Sequence, residues 1–180
     1  MTVADRYRRL ADRFSRVVDA VPPDAWDRPS PCEGWTAEQV LGHVTESQHG
    51  FLERFELAPP IEGRSAIDQW VAVRDVMQAG LDDPATASIE YDGMFGRTSF
   101  AETVDMFMCA DLVVHSWDIA RATGLREHEE LPADEVARLD ERLRPMGDVL
   151  RSPGVFGPEV PVPDDASPQD HLLGFLGRQP

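Results

Sequence analysis

The sequence contains no lysine, only two cysteines and no long apolar run. All seventeen basic residues are arginine, and thirty-three acidic residues give a formal net charge of −16. Such an acidic chain repels nucleic-acid backbones and anionic lipid surfaces, so neither is an expected partner. No apolar stretch reaches the roughly 18 residues of a membrane-spanning helix, and the first residues lack the apolar segment of a signal peptide. We therefore expect a cytoplasmic protein.

The two cysteines, Cys32 and Cys109, lie far apart, and neither belongs to a CxxC pair. This spacing excludes a zinc knuckle and a thioredoxin-type motif. In a reducing compartment we expect two free thiols, to which the sequence assigns no role.

The length of 180 residues suits one domain over residues 1–180. Apolar residues recur at helical spacing, which predicts an all-α fold, a four-helix bundle with an extra helix. Thr36 and Gln39 have the spacing of a capping box at the start of the second helix. The predicted helices span residues 3–21, from 36 to the prolines at 59 and 60, and residues 66–80, 102–122, 132–149 and 168–176. Within residues 132–149, Pro145 is expected to kink the helix or end it early. Residues 88–100 are predicted to form a short hairpin or irregular loop, and residues 151–180 a tail packing on the bundle.

The helix predicted at residues 102–122 carries an unusual pair on its apolar face. Asp111 and His115 lie one turn apart, in line with the apolar positions that should face the core. A buried carboxylate needs a compensating partner. One interpretation is a private hydrogen bond to a protonated His115. The other is a metal, because two ligands at i and i+4 can converge on one ion.

A third ligand candidate, His43, lies at the edge of the apolar stripe of the second helix. Taken alone, His43 reads as an interfacial histidine, but with Asp111 and His115 it completes a set of two imidazoles and one carboxylate. Such a set leaves open positions at a metal for water or substrate. The predicted cleft-lining residues are Trp35, Gln39 and Ser47.

Asp118 lies on the same helix, next to the face that carries Asp111 and His115, and Arg121 comes three residues after it. They form either a local ion pair that steadies the helix, or an outer shell in which Asp118 accepts a hydrogen bond from a ligand histidine. His49 is expected to be exposed.

Three segments carry a resemblance to a known family: SPCEGWTAEQVLGHV, DLVVHSWDIARATG and SPQDHLLGFLGRQP. Together they resemble actinobacterial metal-binding proteins related to the N-terminal domain of mycothiol-dependent maleylpyruvate isomerase, within the DinB-like superfamily. The resemblance implies a four-helix bundle with a divalent metal on His43, Asp111 and His115, zinc first, with nickel or iron as alternatives. It also implies mycothiol as a small-molecule thiol cofactor that the metal binds as thiolate.

The expected activity is that of a thiol-dependent S-transferase or isomerase-like enzyme acting on an electrophilic substrate. The sequence has Asp111 where the isomerase has a glutamate ligand, and a short tail where the isomerase has a second domain, so the isomerase reaction itself is not expected to carry over. The alternatives are a metal-dependent hydrolase on the same site, a non-enzymatic metal-binding or stress-response domain, and a helical protein without metal. Both a monomer and a homodimer remain open.

Overall fold

The computed structural model describes residues 1–151 and 156–180 of the chain, so residues 152–155 of the predicted tail lie outside the described residues. The described part is mostly helical with one small antiparallel hairpin, which confirms the all-α prediction. Its elements are α1 (Val3–Ala20), α2 (Ala37–Glu53), α3 (Ala66–Asp82), α4 (Pro84–Ala87), β1 (Glu90–Gly93), β2 (Gly96–Ser99), α5 (Phe100–Thr103), a π-helical turn (Val104–Met108), α6 (Cys109–Thr123), a 3-10 turn (Arg126–His128), α7 (Ala133–Leu143), a 3-10 segment (Arg144–Arg151) and α8 (Pro168–Phe175).

Capping side chains fix where the long helices begin. The predicted capping box is present: the Thr36 hydroxyl accepts from the backbone N–H of Gln39, and the Gln39 side chain accepts from the backbone N–H of Thr36. Thr2 and Asp5 form an equivalent box on α1. These bonds satisfy amides that the first turn of a helix leaves free.

Two predicted helices end before the last residue of their predicted ranges. The α2 helix ends at Glu53 rather than just before Pro59, because the chain turns where Glu56 adopts a left-handed φ of 59°. The α7 helix ends at Leu143, two residues before Pro145, which confirms the early end expected at this proline, and the 3-10 segment that follows is interrupted by Gly147 at φ 50°.

The core lies between α1, α2, α3 and α6. Helix α1 packs against α6 and α3, and α2 packs against the same two helices. Trp70 and Trp117 are each only 1% exposed within this core. Helix α8 packs on α7, and its residues Leu172 and Leu173 belong to the same hydrophobic cluster. None of the described helices combines the length and hydrophobicity that crossing a bilayer requires.

The π-helical turn was not predicted, and it splits the helix expected at residues 102–122. A π turn contains an extra residue relative to an α turn. Here Asp105, within this turn, is 7% exposed and accepts hydrogen bonds from Arg6, Arg138 and Arg142. Arg6, on α1, also donates to Glu135 of α7. A buried ionic cluster thus links the π turn to α1 and α7.

Glu135→Gln tests the contribution of this cluster to stability. Arg6 and Glu135 are 2% and 1% exposed, so the substitution removes one of the two buried carboxylates that bind the Arg6 guanidinium and leaves only Asp105. We expect the free energy of unfolding to fall by about 1–3 kcal/mol in urea titrations followed by circular dichroism. The matched control is Glu90→Gln, which removes the exposed pair with Arg97 and should cost less than about 1 kcal/mol. Equal losses in the two variants would contradict this assignment.

Asp105 makes stability depend on pH on the acid side. Burial alone would raise the pKa of Asp105, but hydrogen bonds from Arg6 and Arg142 outweigh burial and lower the pKa below its ordinary value of 3.8. The contribution of Asp105 to folding is therefore complete above that ordinary value and is lost as pH falls through the lower folded-state pKa. We expect the difference in Tm between wild type and Asp105→Asn to narrow as pH falls below about 4. A difference that stays constant in thermal scans would refute this.

Candidate metal centre

The structure brings together the three residues predicted as metal ligands. His43 comes from α2, and Asp111 and His115 come from adjacent turns of α6, which packs against α2. One potential ligand atom from each side chain lies within 4.8 Å of the other two. The rings of His43 and His115 are 5.1 Å apart between centroids, at an interplanar angle of 77°. The three donors therefore converge on one position between two helices.

This position is buried on one side and open on the other. His115 is 5% exposed, whereas His43 and Asp111 are half-buried. The neighbours of His43 along α2 explain its orientation, since Val40 and Val44 are fully buried and hold that face against the core. The side formed by His43 and Asp111 is therefore the more exposed side of the site.

His115 is held by Asp118 rather than by Asp111. Its Nδ1 lies 2.9 Å from Oδ2 of Asp118, which is fully buried. The private Asp111–His115 hydrogen bond does not occur within the described part of the chain, so that interpretation is wrong. The contact with Asp118 is the outer-shell geometry considered for this residue. Because Nδ1 is occupied, Nε2 is the nitrogen of His115 left for another partner.

Electrostatics distinguish the two histidines of the site. Burial alone would lower the pKa of His115, but hydrogen bonds to Asp118 and Cys32 and the nearby carboxylates outweigh burial and raise it to about 10. Burial also opposes ionisation of Asp118, yet Arg178 and His115 lower its pKa to about 2. Burial, followed by the charge of His115, lowers the pKa of His43. His43 therefore presents a neutral imidazole with a free lone pair.

Two residues at this centre were not predicted. Cys32 places its Sγ 3.2 Å from Oδ2 of Asp118, and Nη2 of Arg178 donates to the same oxygen at 2.9 Å. Arg178 is only 6% exposed, although it lies near the end of the chain. For Arg178, the sequence offered one signal: it is a single basic residue directly after the apolar LLGFLG segment, within one of the three segments that carry the family resemblance.

Arg121 does not belong to this centre, contrary to the outer-shell prediction. Its guanidinium donates to Glu129 at 2.9 Å and lies over the ring of Trp117, 5.0 Å from the centroid. Asp118 faces the core, whereas Arg121, three residues later, is exposed. The predicted Asp118–Arg121 ion pair is likewise absent from the described residues.

The predicted cleft-lining residues differ in their positions. The ring of Trp35 lies 4.9 Å from that of His43, so Trp35 contacts the centre. The side chain of Gln39 is exposed and serves the capping box of α2. Ser47 is half-buried, one turn beyond His43.

The prediction that His49 is exposed is wrong, because His49 is half-buried. The chain folds back after α2, and Nε2 of His49 is hydrogen-bonded to the carbonyl oxygen of Pro59.

Comparison with known proteins identifies a family match and two relatives. Residues 7–86 match the family described as mycothiol maleylpyruvate isomerase N-terminal domain. Two uncharacterized proteins of Mycobacterium tuberculosis, MT0763 of strain CDC 1551 / Oshkosh and Rv0738 of strain ATCC 25618 / H37Rv, are each 27% identical over 175 residues. These alignments cover 96% of this chain and 95% of each relative.

No solved structure shows a significant match. The family match covers most of α1 and all of α2 and α3 and includes His43, whereas Asp111 and His115 lie beyond it. The resemblance found in the sequence is confirmed for residues 7–86, which are similar to the mycothiol maleylpyruvate isomerase N-terminal domain.

Proposed function

We propose that the protein binds one divalent transition metal at His43, Asp111 and His115, and that this centre serves a thiol-dependent S-transfer or isomerisation of an electrophilic substrate. The observation that carries the proposal is the convergence of the three donors within 4.8 Å at a partly open position between α2 and α6. In this proposal α1, α2, α3 and α6 form a DinB-like four-helix bundle.

The donor set suits the metals that the sequence suggested. Two imidazoles and one carboxylate bind zinc, nickel and iron, with zinc as the first expectation. The hydrogen bond between Asp118 and Nδ1 of His115 supports this use, because metal-binding histidines commonly donate their second ring N–H to a carboxylate. The neutral His43 needs to lose no proton to become a ligand.

The open side of the centre favours a reactive site over a structural one. Structural zinc sites have four protein ligands in a closed shell, whereas catalytic sites leave a position for water or substrate. Among the described residues, the candidate set at His43 has three members, two of them half-buried. This arrangement supports the enzymatic interpretation over a purely structural metal.

A thiol partner is proposed from the family match, whose description names mycothiol. A divalent metal at these donors would favour the deprotonated form of a bound thiol and act as a Lewis acid. Asp118 would hold His115 in orientation, and the ring of Trp35 would shield one side of His43 from water. The open side beyond Asp111 is where the substrate would enter.

Metal content tests the ligand assignment. We expect about one metal per chain in untagged wild-type protein by elemental analysis, and its loss in His43→Ala and His115→Ala, because each removes one of three donors. The matched control is His49→Ala, a histidine on the same helix outside the set, which should keep its metal. Metal content unchanged in the two ligand variants, or absent from wild type, would end the proposal.

Isothermal titration calorimetry with mycothiol tests the thiol role. We expect binding heat with metal-loaded protein and markedly weaker binding without metal, since coordination stabilises the thiolate. The control ligand is mycothiol methylated on sulfur, which cannot form a thiolate and should bind weakly to both the metal-loaded and the metal-free protein. Metal-loaded protein that gives no heat, or that binds both ligands equally, would contradict the thiol role and favour a metal-dependent hydrolase on the same site.

A further inference from the structure

Two candidate ligand sets overlap at His115. The first comprises His43, Asp111 and His115, and the second comprises Cys32, His115 and Asp118. In each set the potential ligand atoms lie within 4.8 Å of one another. A histidine that binds a metal gives up one ring proton and keeps the other, so it has one nitrogen lone pair to donate, and His115 serves one set at a time. The chain therefore needs a feature that decides between the sets.

The guanidinium of Arg178 lies among the donor atoms of the second set, Cys32, His115 and Asp118. Its Nη2 lies 3.2 Å from Sγ of Cys32 and 2.9 Å from Oδ2 of Asp118, and its Nε lies 3.3 Å from Oδ1 of Asp118. A metal ion bound there would have to approach the same sulfur to about 2.3 Å and a carboxylate oxygen to about 2.0–2.2 Å. That ion would lie beside a fixed, buried positive charge, which opposes its binding.

The C-terminal residues hold this guanidinium in place. The backbone N–H of Arg178 donates to the carbonyl of Leu173, and Nη1 donates to the carbonyl of Leu176. Leu173 and Leu176 are fully buried, so these carbonyls belong to a segment anchored in the core. Gly177 makes the turn with a left-handed φ of 81°, which glycine adopts without strain. The position of Arg178 is thus set by the packing of α8.

We propose that Arg178 is a positioning residue that selects the ligand set of this protein, an inference that rests on the proposed metal site. By filling the Cys32–His115–Asp118 set, it keeps Asp118 as the hydrogen-bond acceptor of Nδ1 and leaves Nε2 of His115 for the set with His43 and Asp111. Without Arg178, Cys32 becomes a metal ligand: a divalent cation binds its sulfur, and the thiol proton passes to solvent.

Cobalt(II) spectroscopy tests the selection, because a thiolate bound to cobalt adds an intense near-ultraviolet charge-transfer band that imidazole and carboxylate ligands do not give. Metal-free wild type, Arg178→Met and the double variant Arg178→Met/Cys32→Ser are titrated with Co²⁺. We expect wild type to bind Co²⁺ without the thiolate band, Arg178→Met to gain the band, and the double variant to lose it again.

The outcomes separate this inference from the proposed function. Wild type that binds no Co²⁺ overturns the proposed metal site and, with it, this inference. Wild type that binds Co²⁺ while Arg178→Met shows no thiolate band overturns the selection by Arg178 and leaves the metal site standing.

Cys32→Ser in the wild-type background keeps the test decisive where Arg178→Met does not fold. Because Arg178 remains in place, we expect the same Co²⁺ stoichiometry and the same visible spectrum as in wild type. A thiolate band in wild type that disappears in Cys32→Ser would show that Cys32 already binds the metal, and would overturn the inference.

Discussion

The architecture of the candidate centre depends on one buried carboxylate, Asp118, and on the donors that surround it. Its Oδ2 receives hydrogen bonds from His115 on the same helix, from Cys32 in the loop before α2, and from Arg178 after α8. A fully buried carboxylate is tolerated only with such partners. The same requirement ties two distant parts of the chain, the loop before α2 and the residues after α8, to one turn of α6, and it fixes the ring of His115 beside His43.

The features that could be predicted from the sequence depend on residues close together in the chain. Apolar spacing and capping side chains identified the long helices, and Thr36 with Gln39 marked the start of α2 correctly. The i, i+4 pair of Asp111 and His115 is also local, and its position on the apolar face was visible from helical geometry. His43 required only that two amphipathic helices face each other, which the packing of α2 on α6 provides.

The features that could not be predicted depend on contacts between residues far apart in sequence or on uncommon backbone conformations. Asp118 and Arg178 are separated by sixty residues, and no spacing rule states that a buried carboxylate will choose that guanidinium over Arg121, only three residues away. The end of α2 was missed because Glu56 adopts a left-handed conformation, which is uncommon for a residue other than glycine. The π turn escaped prediction because an angle of about 100° per residue assumes an uninterrupted α-helix.

That π turn sets the helical phase between two charged centres. Asp105, within the turn, faces Arg6 on α1, while Asp111 and His115, just after it, face α2. If the same residues formed an uninterrupted α-helix through Val104–Met108, the first part of the helix would be rotated by about 100° relative to its second part. Only one of the two centres could then keep its partners. The extra residue thus lets a single helix deliver a stabilising carboxylate to one neighbour and ligand side chains to another.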